Sequence, residues 1–211
     1  MHTELYLIRH SEPFRVHRGT VNTHESILIE NEKTPLSING EKMAEEFAGY
    51  EEFQKLDAVY SSNYVRAMST AKYFAFTNDL NVNIDERFNE RVHGIEAWSE
   101  LPADFEPKQF EDETYKVGFG ESQKEVQTRM YDGLLHVLKE NRGKRIAVVS
   151  HSTAIAFLLN RFGEAKYAGE YLFQGNAYFD GRWAYLETFK LVFDENDVLL
   201  SITNIRRRPR C

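Results

Sequence analysis

The residues with the clearest chemical potential are two histidines placed where strands run out. Leu5-Tyr6-Leu7-Ile8-Arg9-His10-Ser11-Glu12-Pro13 opens on four apolar residues and then presents a guanidinium and an imidazole together. Such a run reads as a short strand buried on both faces, and Pro13 ends its regular structure. The edge where strands of an open α/β sheet run out is where ligand sites collect. Arg145-Ile146-Ala147-Val148-Val149-Ser150-His151-Ser152 repeats the pattern. If the two strands are neighbours, two imidazoles face each other across one sheet edge, fit to act as nucleophile, base or hydrogen-bond donor. Taken singly, Arg9 could pair with a carboxylate and His151 could be a satisfied buried histidine.

Two further residues have chemistry that depends on their surroundings. Arg66, in Tyr60-Ser61-Ser62-Asn63-Tyr64-Val65-Arg66, falls in the first turn of an expected helix after a short strand. Helix N-termini offer amide donors to anions, and an Arg there adds a bidentate fork; pairing with a nearby carboxylate is the alternative. Glu90 lies in Glu86-Arg87-Phe88-Asn89-Glu90-Arg91-Val92-His93, where nothing local separates it from Glu86. Glu90 and His93 have the Glu-x-x-His spacing of di-iron bundles. The second such motif and the four-helix pattern are missing, so no metal is expected.

The elements that must position these groups follow from periodicity. Residues 14–33, with Arg15, His17, Arg18 and His24, have no sustained period and read as a long loop leaving directly from His10. A substrate-contacting role suits the loop, while each of these side chains taken alone reads as solvent-exposed. Met43, Phe47, Tyr50 and Leu56 fit a helix over residues 37–56 with Ser37 as N-cap. Short strands are expected at 57–60 and 81–84. Ser122-Gln123-Lys124-Glu125 is a capping box opening a helix to about Asn141, with Val126, Met130, Leu134 and Val137 on its apolar face and His136 on its surface. An apolar helix follows His151 over residues 153–162. Strands at 185–193 and 198–203 flank Asp194-Glu195-Asn196-Asp197 as a closing hairpin. No linker or internal repeat interrupts the chain, so residues 1–211 are read as one domain.

Several stretches agree with the two histidine motifs. Thr34-Pro35-Leu36-Ser37-Ile38-Asn39-Gly40, then Ser61-Ser62 with Arg66-Ala67 and Thr70-Ala71, then Phe88-Asn89-Glu90-Arg91 with Gly94, and Gly120-Glu121-Ser122 lie between them in order. In this order the six landmarks resemble the histidine phosphatase superfamily, the phosphoglycerate-mutase-like proteins. The resemblance covers about the first three quarters of the chain. It implies an α/β fold, a three-layer α/β/α sandwich with a mostly parallel central sheet. The acidic, aromatic stretch at about 96–119 would be a lid insertion over the active-site mouth, or else a structural excursion.

The implied activity is a metal-independent phosphomonoesterase acting on a small phosphate ester, without a cofactor. His10 would attack phosphorus and become a phosphohistidine, splitting hydrolysis into two easier steps. Arg9, Arg66, His151 and Ser152, with amides of the helix it opens, would hold the phosphoryl group. Glu90 would protonate the leaving alcohol and then take a proton from water. Ser11 and Ser152 stand where the family has Gly, and the Trp-Asn that follows the nucleophile in the mutase branch is absent. A phosphoglycerate mutase and a non-catalytic phosphoryl-binding module on the same fold are the alternatives.

Composition bounds the partners. A net charge of −7 argues against a general nucleic-acid binder. The one basic run, from Arg206 to Arg210, reads as a frayed tail. No apolar run approaches the roughly 18 to 20 residues of a membrane span, and no signal-peptide core opens the chain. The single cysteine, Cys211, forms no internal disulfide. The expectation is a cytoplasmic protein whose partner is a small phosphorylated molecule, with a homo-oligomer left open.

Overall fold

The computed structural model describes residues 1–14 and 27–205, with side chains in the second stretch from residue 29 on. Arg15, His17, Arg18, His24 and the arginine run lie outside the described residues. In chain order the elements are β1 (Thr3–Arg9), α1 (Ile27–Lys33), α2 (Ile38–Ala48), β2 (Ala58–Ser61), α3 (Val65–Thr77), β3 (Val82–Ile84), α4 (Phe105–Glu111), α5 (Gln123–Glu140), β4 (Arg145–Ser150), α6 (Ser152–Leu159), β5 (Glu164–Ala165), β6 (Tyr171–Phe173), β7 (Asn176–Phe179), β8 (Thr188–Phe193) and β9 (Leu199–Ile205).

The central sheet has the order β3-β2-β4-β1-β8-β9. Its first four strands are parallel, and β8 and β9 add an antiparallel edge. Alternation along the middle strands explains the three layers. Leu5 and Leu7 of β1, with Ile146 and Val148 of β4, pack under α5 and α6. Tyr6, Ile8, Ala147 and Val149 face the other way, onto Phe47 of α2 and Ala67, Ala71 and Phe74 of α3. Truncating one such fully buried aliphatic to Ala costs about 2–5 kcal/mol. The strand ends that carry Arg9 and His151 therefore emerge from the best-packed part of the molecule.

Local signals account for most boundaries. Ser37 caps α2 by accepting from the Gly40 amide, and Ser122 and Glu125 make both bonds of the expected capping box. The helix expected over 37–56 stops earlier, at the Gly49 cap, and only a single 3₁₀ turn, Glu51–Phe53, follows. The end of the expected 14–33 loop is helical, as α1. Between α6 and β8 lies a small antiparallel sheet, β5-β6-β7, with no counterpart among the elements expected from periodicity. Its strands have two to four residues, and Gln174 and Gly175 both take positive φ, 50° and 78°, in the two-residue turn between β6 and β7. Phe179 and Trp183 pack against Phe189 and Tyr171 packs on both of them, which fastens it to the main sheet.

Candidate active site

Strand register creates the site. Arg9 stands opposite Ser150 where parallel β1 and β4 end, so the next residue on each strand is a histidine at the same edge. The rings of His10 and His151 lie edge-on with centroids 5.2 Å apart. His10 is only 6% exposed and His151 0%, so their polar atoms must be satisfied from within. His10 Nδ1 lies 2.7 Å from the Ser11 carbonyl, and Arg66 Nε donates to His10 Nε2 at 3.1 Å. A guanidinium can only donate, so Nε2 carries the lone pair and Nδ1 the proton. Burial, then the charges of Arg66 and Arg9, holds His10 well below the ordinary imidazole range. Burial does the same for His151, with Arg66 and then His10 next in effect. Both rings are neutral near pH 7.

Two arginines bracket the rings. Arg66 sits in the first turn of α3, as its spacing after Ser61-Ser62 predicts, and its Nη1 donates to the Asn31 carbonyl of α1. Arg9 Nη1 donates to the carbonyls of Trp183 and Ala184 at 3.3 and 3.2 Å, with its guanidinium carbon 5.0 Å from the Tyr185 ring centre. Arg9 Nε and His151 Nδ1 are buried and have no partner among the described residues. Burial pulls both guanidinium values down, and the Glu90 carboxylate works against that in each.

The structure puts Glu90, rather than Glu86, beside this cluster. Glu90 Oε1 accepts from its neighbour's amide, Arg91 N, at 2.9 Å and from Ala154 N in the first turn of α6 at 3.0 Å. Oε2 has no hydrogen-bond partner among the described residues. The segment is clamped from behind. Arg129 of α5 donates to the carbonyls of Arg87, Asn89 and Glu90 while its other face is paired with Glu121, and Ser150 Oγ donates to Phe88 O. Arg129 had no signal in the sequence, because it is one charged residue of an amphipathic helix.

The serines in the family's glycine positions need no special backbone, since neither Ser11 nor Ser152 has positive φ. Ser11 is fully buried, its amide bonded to Thr70 Oγ1 at 3.0 Å and its hydroxyl to Gly40 O at 2.7 Å. The Ser11 amide is thus a structural group, committed to Thr70. Ser152 is the first residue of α6, where a backbone N–H has no intrahelical acceptor. The Ala154 amide in that turn is already used by Glu90.

The segment 96–119 is partly helical. Pro107 is in the first turn of α4, where proline is tolerated. Phe105 and Gln109 are buried, and the Arg91 guanidinium forks onto Glu106 at 2.7 and 3.0 Å, also reaching Gln109 at 2.7 Å. α4 is thereby tied to the residue next to Glu90. His93 Nε2 lies 2.9 Å from Arg91 Nη2. Among the described residues no three His, Cys, Asp or Glu side chains group as metal ligands, and no helix is long and apolar enough to cross a membrane.

Residues 5–177 match the model of the histidine phosphatase superfamily, branch 1. The chain belongs to this family. A histidine phosphatase is a phosphoric monoester hydrolase whose phosphoryl group passes through a histidine, and this one has the fold to match. Phosphoserine phosphatase 1 of Hydrogenobacter thermophilus is 30% identical over 158 residues, 71% of each chain. The metal-independent phosphoserine phosphatase of Arabidopsis thaliana is 28% identical over 181 residues, 81% of this chain and 73% of that protein. The Entamoeba histolytica phosphoserine phosphatase in complex with 3-phosphoglyceric acid shares the fold with a TM-score of 0.67 at 23% identity, over 97% of this chain and 98% of that one. A mycobacterial glucosyl-3-phosphoglycerate phosphatase does so with a TM-score of 0.68 at 16% identity, over 97% of both chains.

Proposed function

We propose that this histidine phosphatase hydrolyses a small phosphomonoester of the phosphoserine type, without a metal, with His10 as nucleophile. The observation that carries this reading is the His10 tautomer. The Ser11 carbonyl holds the Nδ1 proton, which leaves the Nε2 lone pair beside Arg66 and the second imidazole. Arg66 Nε donates to that lone pair in this structure. A phosphoryl oxygen is a stronger, charged acceptor, so an incoming ester draws the guanidinium off Nε2 and onto its own oxygens. Nε2 then attacks phosphorus, the N–P bond forming as the P–O bond to the alcohol breaks.

Arg9 Nε, Arg66 and the amides opening α6 at Ser152 hold the three phosphoryl oxygens as charge builds on them. Glu90, aimed by its two amide bonds, gives a proton to the leaving oxygen. In the second half it takes a proton from water as water attacks phosphorus and the N–P bond breaks, restoring His10. A cavity of about 720 Å³ opens beside Arg9, lined by Met43, Asp180, Arg182, Trp183 and Tyr185 among others. Arg9 is its link to the histidine edge, and its charges of both signs would suit the alcohol part of an amino-acid ester. The names of both curated relatives support that substrate class.

The test is brief exposure to phosphoserine labelled in its phosphoryl group, then an alkaline denaturing quench. An acid-labile, base-stable phosphoprotein that His10→Ala cannot form is expected, with phosphate release exceeding that from glycerol phosphates or nucleotides. Labelling that survives His10→Ala would end the nucleophile assignment. Preference for another ester would end the substrate assignment alone.

A further inference from the structure

We infer that Ser62 is a positioning residue that fixes His151 as the Nδ1–H tautomer, so that this ring meets the phosphoryl group as a neutral hydrogen-bond donor. The argument is a count of donors in a dry site. Ser62 and His151 are both 0% exposed, and Ser62 Oγ lies 2.8 Å from His151 Nε2. The same Oγ accepts the Tyr64 amide at 3.3 Å. The hydroxyl hydrogen needs an acceptor of its own, and His151 Nε2 is the one it has among the described residues.

If Nε2 carried the proton instead, Ser62 would take two donors and its own O–H would be buried and unspent. Leaving such a group unsatisfied disfavours that tautomer by about fivefold to over a hundredfold. Nε2 therefore accepts, and the ring proton sits on Nδ1. That nitrogen is the buried atom of His151 with no partner among the described residues. The ring cannot easily turn to exchange the two, because Tyr64 lies edge-on to it at 4.9 Å and His10 at 5.2 Å.

The two histidines thus share one protonation pattern but present opposite faces. His10 offers the lone pair of Nε2 for bond formation. His151 offers the N–H of Nδ1 to an oxygen that gains charge as the bond forms. A ring locked in the other tautomer would turn a lone pair toward an anion. Ser62 touches neither the ester nor phosphorus and acts only through His151.

The experiment uses the full-length protein and two readouts. Two-bond nitrogen–proton correlation spectra should show His151 as the Nδ1–H tautomer in the parent and a mixed or Nε2–H ring in Ser62→Ala. On the activated ester p-nitrophenyl phosphate, Ser62→Ala should lose roughly 10- to 100-fold in kcat, as outer-shell partners typically do. KM should move far less. The backbone bond from Ser62 N to Val149 O is untouched by that change, and Ser62→Thr, which keeps the hydroxyl, should recover both tautomer and rate. A parent spectrum showing Nε2–H at His151 overturns the inference whatever the variants do. So does a Ser62→Ala protein that loses activity with its His151 tautomer unchanged, or one that keeps full kcat.

Discussion

Replacing Arg91 with Met should cost this protein several degrees of thermal stability and loosen the segment carrying Glu90. Arg91 is 2% exposed as a side chain, whereas its partner Glu106 is 36% exposed. The guanidinium makes a two-bond fork to Glu106, a bond to the fully buried Gln109, and a face contact with Phe105 at 4.8 Å. Breaking a buried ion pair by removing one member costs about 3–5 kcal/mol. Water reaches Glu106, which moves the figure to the low end, about 3 kcal/mol. For a domain of this size each kcal/mol is worth about 2–4 °C, so Tm should fall by about 6–12 °C.

Burial acts to raise the Glu106 carboxyl, but the Arg91 bonds outweigh it and hold the group below its usual range. A carboxyl depressed on folding contributes fully above its unfolded value, about 4.3, and loses that contribution as pH falls through the lower folded value. The gap between parent and Arg91→Met should therefore be full at pH 7 and narrow in acid. Pairing Arg91→Met with Glu106→Leu should recover part of the loss, since an apolar pair of similar volume removes the stranded carboxylate. Calorimetry on the four proteins of this cycle is the assay. A Tm drop under about 2 °C, or a coupling near zero, would refute the view that Arg91 ties α4 to the Glu90 segment.

Both sheet-edge histidines have folded values held well below the free imidazole near 6.5 by burial first and arginine charge second. The unfolded chain therefore binds more protons below that pH, and stability should be complete above about 6.5 and fall as pH drops beneath it. Urea midpoints from pH 7.5 to 5 should show that decline, and a His10→Gln, His151→Gln double variant should show less of it; equal slopes would count against neutral buried rings. Glu90→Gln should slow the hydrolysis of alkyl esters far more than that of p-nitrophenyl phosphate, whose leaving group needs no proton, and equal losses on both would remove Glu90 from the acid role. Gly40→Ala should destabilise by about 1–3 kcal/mol or more, because a Cβ there would lie 2.0 Å from the Glu12 carbonyl oxygen; an unchanged denaturation midpoint would show that the turn after β1 yields freely.

The parts of this fold that could be read from residue order were those with strong local causes. The runs before His10 and His151 are buried on both faces because helices cover both, so unbroken apolarity identified them. Ser122-Gln123-Lys124-Glu125 predicted a helix start that two hydrogen bonds confirm. The landmark order led to the family, and the register of β1 with β4 brought the two imidazoles together. Sequence gave no access to partners set by tertiary packing. Ser62 against His151 spans 89 positions, Arg129 against the Glu90 carbonyl 39, and Asn31 against Arg66 35. The small sheet β5-β6-β7 escaped notice because strands of two to four residues show no readable alternation. What Ser in place of Gly does at position 11 was equally illegible, because the partners of its amide and hydroxyl, Thr70 and Gly40, are set by tertiary packing.

The same burial that keeps His10 neutral makes the pocket costly to maintain, and this yields a last prediction. Arg66 is buried, and within hydrogen-bonding distance among the described residues it has a ring nitrogen and a carbonyl, His10 Nε2 and Asn31 O, but no carboxylate oxygen. Arg9 likewise bonds only backbone carbonyls there. Two guanidinium charges held this way pay desolvation that an oxyanion would offset. A ligand that binds only the folded state stabilises by about 2.7 kcal/mol at a hundred times its Kd. For a domain of this size that is about 5–11 °C in Tm. Inorganic phosphate should therefore raise Tm progressively, with sulfate at matched ionic strength as the control for shape. Arg66→Met should lose most of that response while unfolding no earlier than the parent, because Met fills similar volume without a charge to desolvate. A variant that unfolds well below the parent yet keeps the full phosphate response would mean that Arg66 is a structural arginine, and that the anion is held by other groups.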